Sequence, residues 1–393
     1  MQGDWKYRKR KPCRVLYGNR VDTLPKVTYM SDATVLRPSV DIPSENRFAR
    51  ALANDDLLPL LSGLTGRMMQ MPARRRLHAV PLDTARPRIA VIANQRSHRS
   101  TAGHGHGYGH GRDANMLYAA PDTRERMVDA LEGFARAQVD LLVIDGGDGT
   151  VRDVMSAARP LFRDGMPPIA VMPNGKTNAL ANDLGIPAGW NLDAIVTAFR
   201  NGTIAERAPV EITYDGTEVP LTGFILGAGA FVRATMLAQQ AHRMGAFNGT
   251  AVALSVLGGV LQTCLGRRSN PWRAGEVMAC RNQATGETCD RHLYLMLLST
   301  LRRFPLGLRP LGQDGDGLNG LAIDAPPRLL PVVAPAVLMG RESAWLNRMG
   351  YHRLNDLEPS QVTLENGFIL DGELFPGGTM SVRAGAPLRF VVP

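Results

Sequence analysis

The chain is poor in cysteine: it has four among 393 residues, Cys13, Cys264, Cys280 and Cys289, and no pair stands at metal-binding spacing. That excludes a zinc finger or a disulfide framework and suggests a reducing compartment. Cys280 and Cys289 flank a predicted hairpin turn over 282–286 and could pair if oxidised. Long apolar runs are missing too. The longest, Ala251 to Leu261, is too short to span a bilayer. The basic start, Met1 to Arg20, leads into no apolar stretch of the kind a secretory leader carries. A cytoplasmic protein is therefore expected. Helix-turn-helix, zinc-finger and aromatic RNA-binding motifs are absent, so the net charge of +9 is not read as a nucleic-acid signal. That charge concentrates in the run from Lys6 to Lys11 and again at Arg74, Arg75 and Arg76. It suits either an anionic membrane surface or a solvated tail.

What is present is a set of strand–loop–helix units. Leu141 to Ile144 reads as a buried strand, broken by Asp145-Gly146-Gly147-Asp148-Gly149-Thr150 and followed by a helix from Val151 toward Ala158. Glycines let a backbone approach a ligand closely, and a helix start offers unpaired N–H groups to an anion. Asp148 beside such a site suits a metal ion or a hydroxyl proton. A ligand-free corner would carry the same pattern, so the neighbouring units matter. Arg88 to Asn94 is a second apolar strand ending in a polar residue. Ile169 to Pro173 is a third, running into Asn174-Gly175-Lys176-Thr177-Asn178. Three such units in succession describe a parallel sheet with ligand loops at the carboxyl ends of its strands.

Three segments are expected: a basic extension over 1–86, an α/β domain over 87–206 and a β-rich domain over 207–393. The extension carries a predicted helix over 45–62. A second helix is predicted over 122–138, with Asp122 as N-cap and Met127, Ala130, Leu131 and Phe134 facing the core. The Gly/His alternation over 103–111 reads as a flexible insertion rather than a rigid metal site. Beyond residue 207, β-like runs fall at 209–214, 219–226, 275–280, 292–298, 318–323, 361–365 and 379–382. Helices predicted over 231–244 and 251–266 interrupt them, which suggests a β-sandwich with inserted helices.

Asn94, the GGDGT loop, the P-x-G-x-x-N loop over 173–178 and the late Asp371-Gly372-Glu373 occur in one order. Together they resemble the catalytic domain of the diacylglycerol kinase and sphingosine kinase superfamily, over about residues 88–393. GGDGT is shared with NAD kinases, but the other two loops count against that alternative. The resemblance implies an α/β nucleotide-binding domain of the NAD kinase/diacylglycerol kinase type, a β-sandwich second domain, and a cleft between them. It implies ATP as co-substrate, with Asn94, Ser97, Gly146, Gly147, Gly149, Thr150, Gly175, Lys176, Thr177 and Asn178 around it. It also implies Mg²⁺, held at Asp148, and a structural magnesium at Asp314 and Asp316, where an acidic turn without metal is an equal reading. Glu373 is the expected base for a lipid hydroxyl and Asp148 the organiser of metal and phosphate, with the reverse open.

Several positions depart from the family pattern: Gln95, His98, Asp153, Lys176 and Ala179. Arg233 and Thr235 stand where sphingosine kinases carry two acidic residues near the lipid head. A cation there repels an amine and favours a neutral or anionic lipid. The resulting expectation is an ATP- and Mg²⁺-dependent lipid kinase, peripherally associated with a membrane through basic residues. A homodimer is left open. The rival is a regulator that binds nucleotide or lipid with little turnover.

Overall fold

In the computed structural model the described residues are 57–68, 87–94, 115–162, 165–243, 273, 275–283, 286, 288–304, 307–312 and 317–393. Side chains within 237–243 and 287–289 are not among them. Ser97, Gln95, His98, the Gly/His alternation, Asp314, Asp316 and the helix predicted over 251–266 lie outside the described residues.

Strands β1 (Ile89–Ala93), β3 (Leu141–Gly146) and β4 (Ile169–Pro173) are buried along their whole length. Continuous apolar runs are what a parallel sheet covered on both faces needs. With β2 (Met116–Ala119), β5 (Ile204–Arg207) and β17 (Leu388–Val391) they form a six-stranded sheet in the order β2-β1-β3-β4-β17-β5. The first four strands are mutually parallel. The chain's last strand, β17, runs parallel to β4 and antiparallel to β5. The C-terminus thus returns to complete the first sheet.

Helix α2 (Arg124–Arg136) begins one residue later than the sequence suggests. Its N-cap is Thr123, whose hydroxyl accepts from the Arg126 N–H, while Asp122 pairs with the Arg126 side chain. Met127, Leu131 and Phe134 are buried as expected, and Ala130 is half-buried. Helix α1 (Leu57–Met68) overlaps the end of the helix predicted over 45–62, whose earlier part lies outside the described residues, and it buries Leu57, Leu61 and Leu64. That stripe packs on α3 (Asp148–Leu161), so part of the N-terminal extension belongs to the core.

The second sheet has eleven antiparallel strands. They are β6 (Val210–Tyr214), β7 (Leu221–Gly223), β8 (Ile225–Gly229), β9 (Glu276–Asn282), β10 (Thr288–Ser299), β11 (Asn319–Asp324), β12 (Tyr351–Leu354), β13 (Ser360–Leu364), β14 (Phe368–Leu370), β15 (Glu373–Phe375) and β16 (Gly378–Ala384). They form one continuous curled sheet, the single-sheet version of the packed antiparallel layers the sequence implied. The run 219–226 is two strands, split at Phe224. β9 and β10 set Cys280 opposite Cys289 in register, and Cys280 is a free thiol. After α4 (Ala179–Asp183) and α5 (Leu192–Arg200), helix α6 (Ala230–Arg243) follows β8 and packs against β10 and β14.

The two sheets meet along α3. Ser156, fully buried on that helix, donates to Thr222 O at 3.2 Å and accepts from Thr222 N–H at 2.9 Å.

Candidate active site

Parallel strands end at a common edge, and this edge collects the loops. The Asn94 N–H donates to Asp145 O at 2.9 Å, and the Asn174 N–H donates to Gly146 O at 3.2 Å. Side chains add further ties. Asn94 Nδ2 donates to Thr150 Oγ1 at 2.8 Å, and Asn174 Nδ2 donates to Asp145 Oδ1. The GGDGT loop is therefore gripped from both sides.

Glycine is required here for contact rather than flexibility. A Cβ on Gly147 would lie 2.9 Å from Gly175 Cα, so the two loops touch backbone to backbone. No side chain caps α3 at its N-cap, Gly147. Its first-turn N–H groups therefore face whatever sits over the loop, as an anion site demands.

The Asn174–Asn178 loop is stiffened from inside. Asn178 adopts a left-handed backbone (φ 49°), accepts from Gly175 N–H at 2.9 Å and donates to Gly175 O and Pro173 O. Its amide is thus spent on loop shape. Lys176 and Thr177 are exposed at the tip. Asp148, the first residue of α3, lies under this loop and accepts from the Leu180 N–H at 3.4 Å. Burial pushes its carboxyl above the usual range, against the backbone donors of Ala179, Leu180 and Asn178.

Asp371-Gly372 is a two-residue hairpin turn between β14 and β15, with φ of 46° and 84°. The residues of the D-G-E motif therefore lie on a hairpin. Asp371 accepts from the Phe224 N–H at 3.0 Å and from the Ile225 N–H at 2.9 Å, which fixes the turn against β8. Burial, helped by Asp148, pushes its carboxyl up to about 7. Glu373 then projects toward the first sheet's loops, its Oε1 lying 3.5 Å from where a Cβ on Gly149 would stand.

The sequence reading missed Arg152 and Arg124. Arg152 is fully buried and donates to Glu373 Oε2 at 2.5 Å, to Asp153 Oδ1 at 2.6 Å and to Leu370 O at 3.0 Å. Its guanidinium carbon sits 5.1 Å from the centre of the Phe375 ring. Burial opposes its charge, but Asp153 and Glu373 outweigh that. Arg124, from α2, reaches Asp153 at 3.0 Å and Glu373 at 3.5 Å. The signal for Arg152 was available: Met155 and Ser156, three and four residues on, lie on the buried face of α3, so Arg152 shares it.

Arg233 and Thr235 are half-buried on α6, the helix that packs against β14 of the Glu373 hairpin. Among the described residues no cluster of three or more His, Cys, Asp or Glu side chains forms a metal cage.

Residues 88–211 match the family model of the diacylglycerol kinase catalytic domain. That segment belongs to the diacylglycerol kinase catalytic-domain family. A diacylglycerol kinase of Bacillus subtilis (strain 168) is 43% identical over 58 residues, which are 15% of this chain and 18% of that protein. A crystal structure of a candidate diacylglycerol kinase from Bacillus anthracis str. Sterne superposes with a TM-score of 0.56 at 12% identity, covering 78% of this chain and 97% of that one. A second structure from the same organism gives 0.52 at 11% identity over the same shares. At such identities the likeness speaks for the fold. The matched family segment contains Asn94, the GGDGT loop and the Asn174–Asn178 loop, and the D-G-E hairpin lies beyond it.

Proposed function

We propose that this chain transfers the γ-phosphoryl group of ATP to a hydroxyl of a membrane lipid of diacylglycerol-like or ceramide/phospholipid-like type. One observation carries the reading: Glu373, from the antiparallel sheet, stands over Gly149 of a glycine loop built to take phosphate. A loop gripped by Asn94 and Asn174 binds ATP phosphates through backbone N–H groups, with Thr150 at its end and Lys176 at the facing tip.

Asp148 is suited to Mg²⁺. The groups that offset its burial are backbone amides, and magnesium is commonly held by one or two carboxylates plus substrate phosphate oxygens. Bound there, Mg²⁺ supplies charge neutralisation at the transferring phosphoryl group. Glu373 Oε2 is anchored by Arg152 and Arg124, and Oε1 lies on the side of the Gly149 loop. The lipid hydroxyl gives its proton to that carboxylate as its oxygen bonds to the γ-phosphorus, and the bond to the ADP oxygen breaks in line. Arg233 near the hairpin favours a neutral or anionic lipid over an amine.

A second reading gives the base role to Asp148, on the observation that burial raises the basicity of its carboxylate. The test is transfer of radiolabelled γ-phosphate from ATP to a mixed lipid extract with Mg²⁺, comparing wild type with Glu373→Ala and Asp148→Ala. A labelled lipid that vanishes in both variants supports the kinase and identifies its acceptor. ATP binding without labelled lipid replaces it with a nucleotide-binding regulator.

A further inference from the structure

Helix α7 (Leu330–Leu338) has no charged residue and buries only Val333 and Val337. Its other face is apolar as well, and open. Val332 is 70% exposed, Met339 67%, Leu329 56% and, on the following α8 (Ala344–Arg348), Trp345 46%. Five of the eight large exposed hydrophobics among the described residues fall between 329 and 345. Scattered exposed apolar residues need no explanation, but a contiguous group does. Leu329 adds a local cost: it holds a left-handed backbone (φ 49°) at the N-cap of α7 and makes no side-chain cap bond.

The rim of this patch is cationic. Arg309, Arg328, Arg341 and Arg348 are all exposed. Arg309 and Arg341 are fixed beside the end of α7, their N–H groups donating to Leu338 O at 2.8 Å and Ala336 O at 3.0 Å. The nearby acids are already paired: Glu342 with Arg353 at 3.7 Å, and Asp324 with Arg291 at 3.2 Å and His352 at 2.9 Å. A cavity of about 900 Å³ opens at the start of the helix, lined by Arg273, His292, Asp324, Arg328, Leu329 and Arg348. His292 lies along β10 from Leu298, which aligns with the Glu373 hairpin through Leu226. At about 3.4 Å per residue the two positions are on the order of 20 Å apart. This is not the active-site cleft.

We propose that α7 and α8 form a membrane-docking surface whose exposed apolar face enters the acyl boundary of a bilayer while the arginine rim takes anionic phospholipid headgroups. An apolar face flanked by arginines is the composition of an interfacial helix, and a positive rim that makes no ion pair among the described residues selects an anionic leaflet. The inference rests on this surface alone and does not require the kinase reading.

The test is co-sedimentation of the full chain, without nucleotide, with vesicles of phosphatidylglycerol and phosphatidylcholine or of phosphatidylcholine alone. Wild type is expected to bind the anionic vesicles preferentially. The Val332→Asp, Met339→Asp double variant is expected to lose at least ten-fold in partitioning with its melting temperature unchanged. Arg328→Gln, Arg348→Gln should weaken binding about five-fold per charge, with a reduced salt dependence. Wild type that does not bind anionic vesicles, or binding equal in wild type and the apolar double variant, overturns the proposal. So does concentration-dependent self-association, without vesicle binding, that the double variant abolishes, since the face would then meet a second copy. Phosphorylation of a lipid in detergent micelles, read separately, reports on the active site whatever the vesicles show.

Discussion

Arg152, on the helix that opens with Asp148, donates to Glu373 Oε2 at 2.5 Å, although 221 residues separate them in sequence. The pair crosses from the parallel sheet's layer to the antiparallel sheet and sets where the Glu373 carboxylate stands. Glu373 is 39% exposed, so water compensates part of the charge left when Arg152 is removed, and the cost is about 1–3 kcal/mol. Arg152→Met should therefore cost about that much in urea unfolding. It should also lower kcat by about 10²-fold through misplacement of Glu373, with a smaller effect on the KM for ATP. Arg152→Lys keeps the charge but not the fork of donors to Asp153, Glu373 and Leu370 O, and should fall between the two.

The backbone contact of Gly147 with Gly175 predicts that either loop rejects a single methyl group. Gly147→Ala and Gly175→Ala should each destabilise by about 1–3 kcal/mol, because a Cβ would meet the facing main chain. The loops must then separate, so the KM for ATP should rise in both. Gly185→Ala, at a position with open space but positive φ, should reduce stability without touching nucleotide affinity. Thermal denaturation and nucleotide titration separate the outcomes.

The strands β1, β3 and β4 were legible because a parallel sheet writes itself as short, fully apolar runs with glycine turns at one end. The Asp371-Gly372 turn was legible as a hairpin signal, and the residues of the D-G-E motif lie on the hairpin that forms. For Arg152 only the place on a buried face was legible, and its role was not, since a cation there makes sense once Asp153, Glu373 and the Leu370 carbonyl surround it. The return of β17 was equally hidden. Four residues at the chain's end carry no sign that their partners lie at Ile169 and Ile204–Arg207. The apolar helix α7, with two prolines, resembles a buried strand or loop in sequence, and only its exposure makes it informative.

Burial and Asp148 push the Asp371 carboxyl up to about 7. A carboxyl raised in the folded state binds more protons there than in the unfolded chain between about pH 4 and pH 7. Its contribution to stability is present at low pH and is lost as pH rises through 7. Thermal unfolding should therefore show a component that weakens from pH 5 to pH 8. Asp371→Asn removes the titrating group, and its pH slope should be shallower over that window. An unchanged slope in the variant would place the titration elsewhere.

Lys176 is exposed at the tip of the Asn174–Asn178 loop. If it meets a phosphate, Lys176→Ala should raise the KM for ATP about ten-fold, in the range of a charge-assisted hydrogen bond. The melting temperature without nucleotide should be unchanged. An unaltered KM would make it a solubilising side chain.

The division of labour between Glu373 and Asp148 can be read from the pH dependence of kcat. A general base must be deprotonated, so activity falls on the acid side as its carboxylate takes up a proton. Glu373→Gln keeps the shape of the side chain but can accept no proton. With Glu373 as base, kcat should fall about 10²–10⁴-fold with little change in the KM for ATP, and the residual rate should lose its acid limb. Asp148→Asn should then act mainly through Mg²⁺, raising the concentration needed for half-maximal rate. The opposite assignment has a distinct signature, because burial holds the Asp148 carboxyl above the usual range. The acid limb of wild type would then lie above that range too. It would survive in Glu373→Gln at reduced amplitude and disappear in Asp148→Asn. In that case Glu373, held by Arg152 and Arg124, would orient the acceptor hydroxyl rather than take its proton.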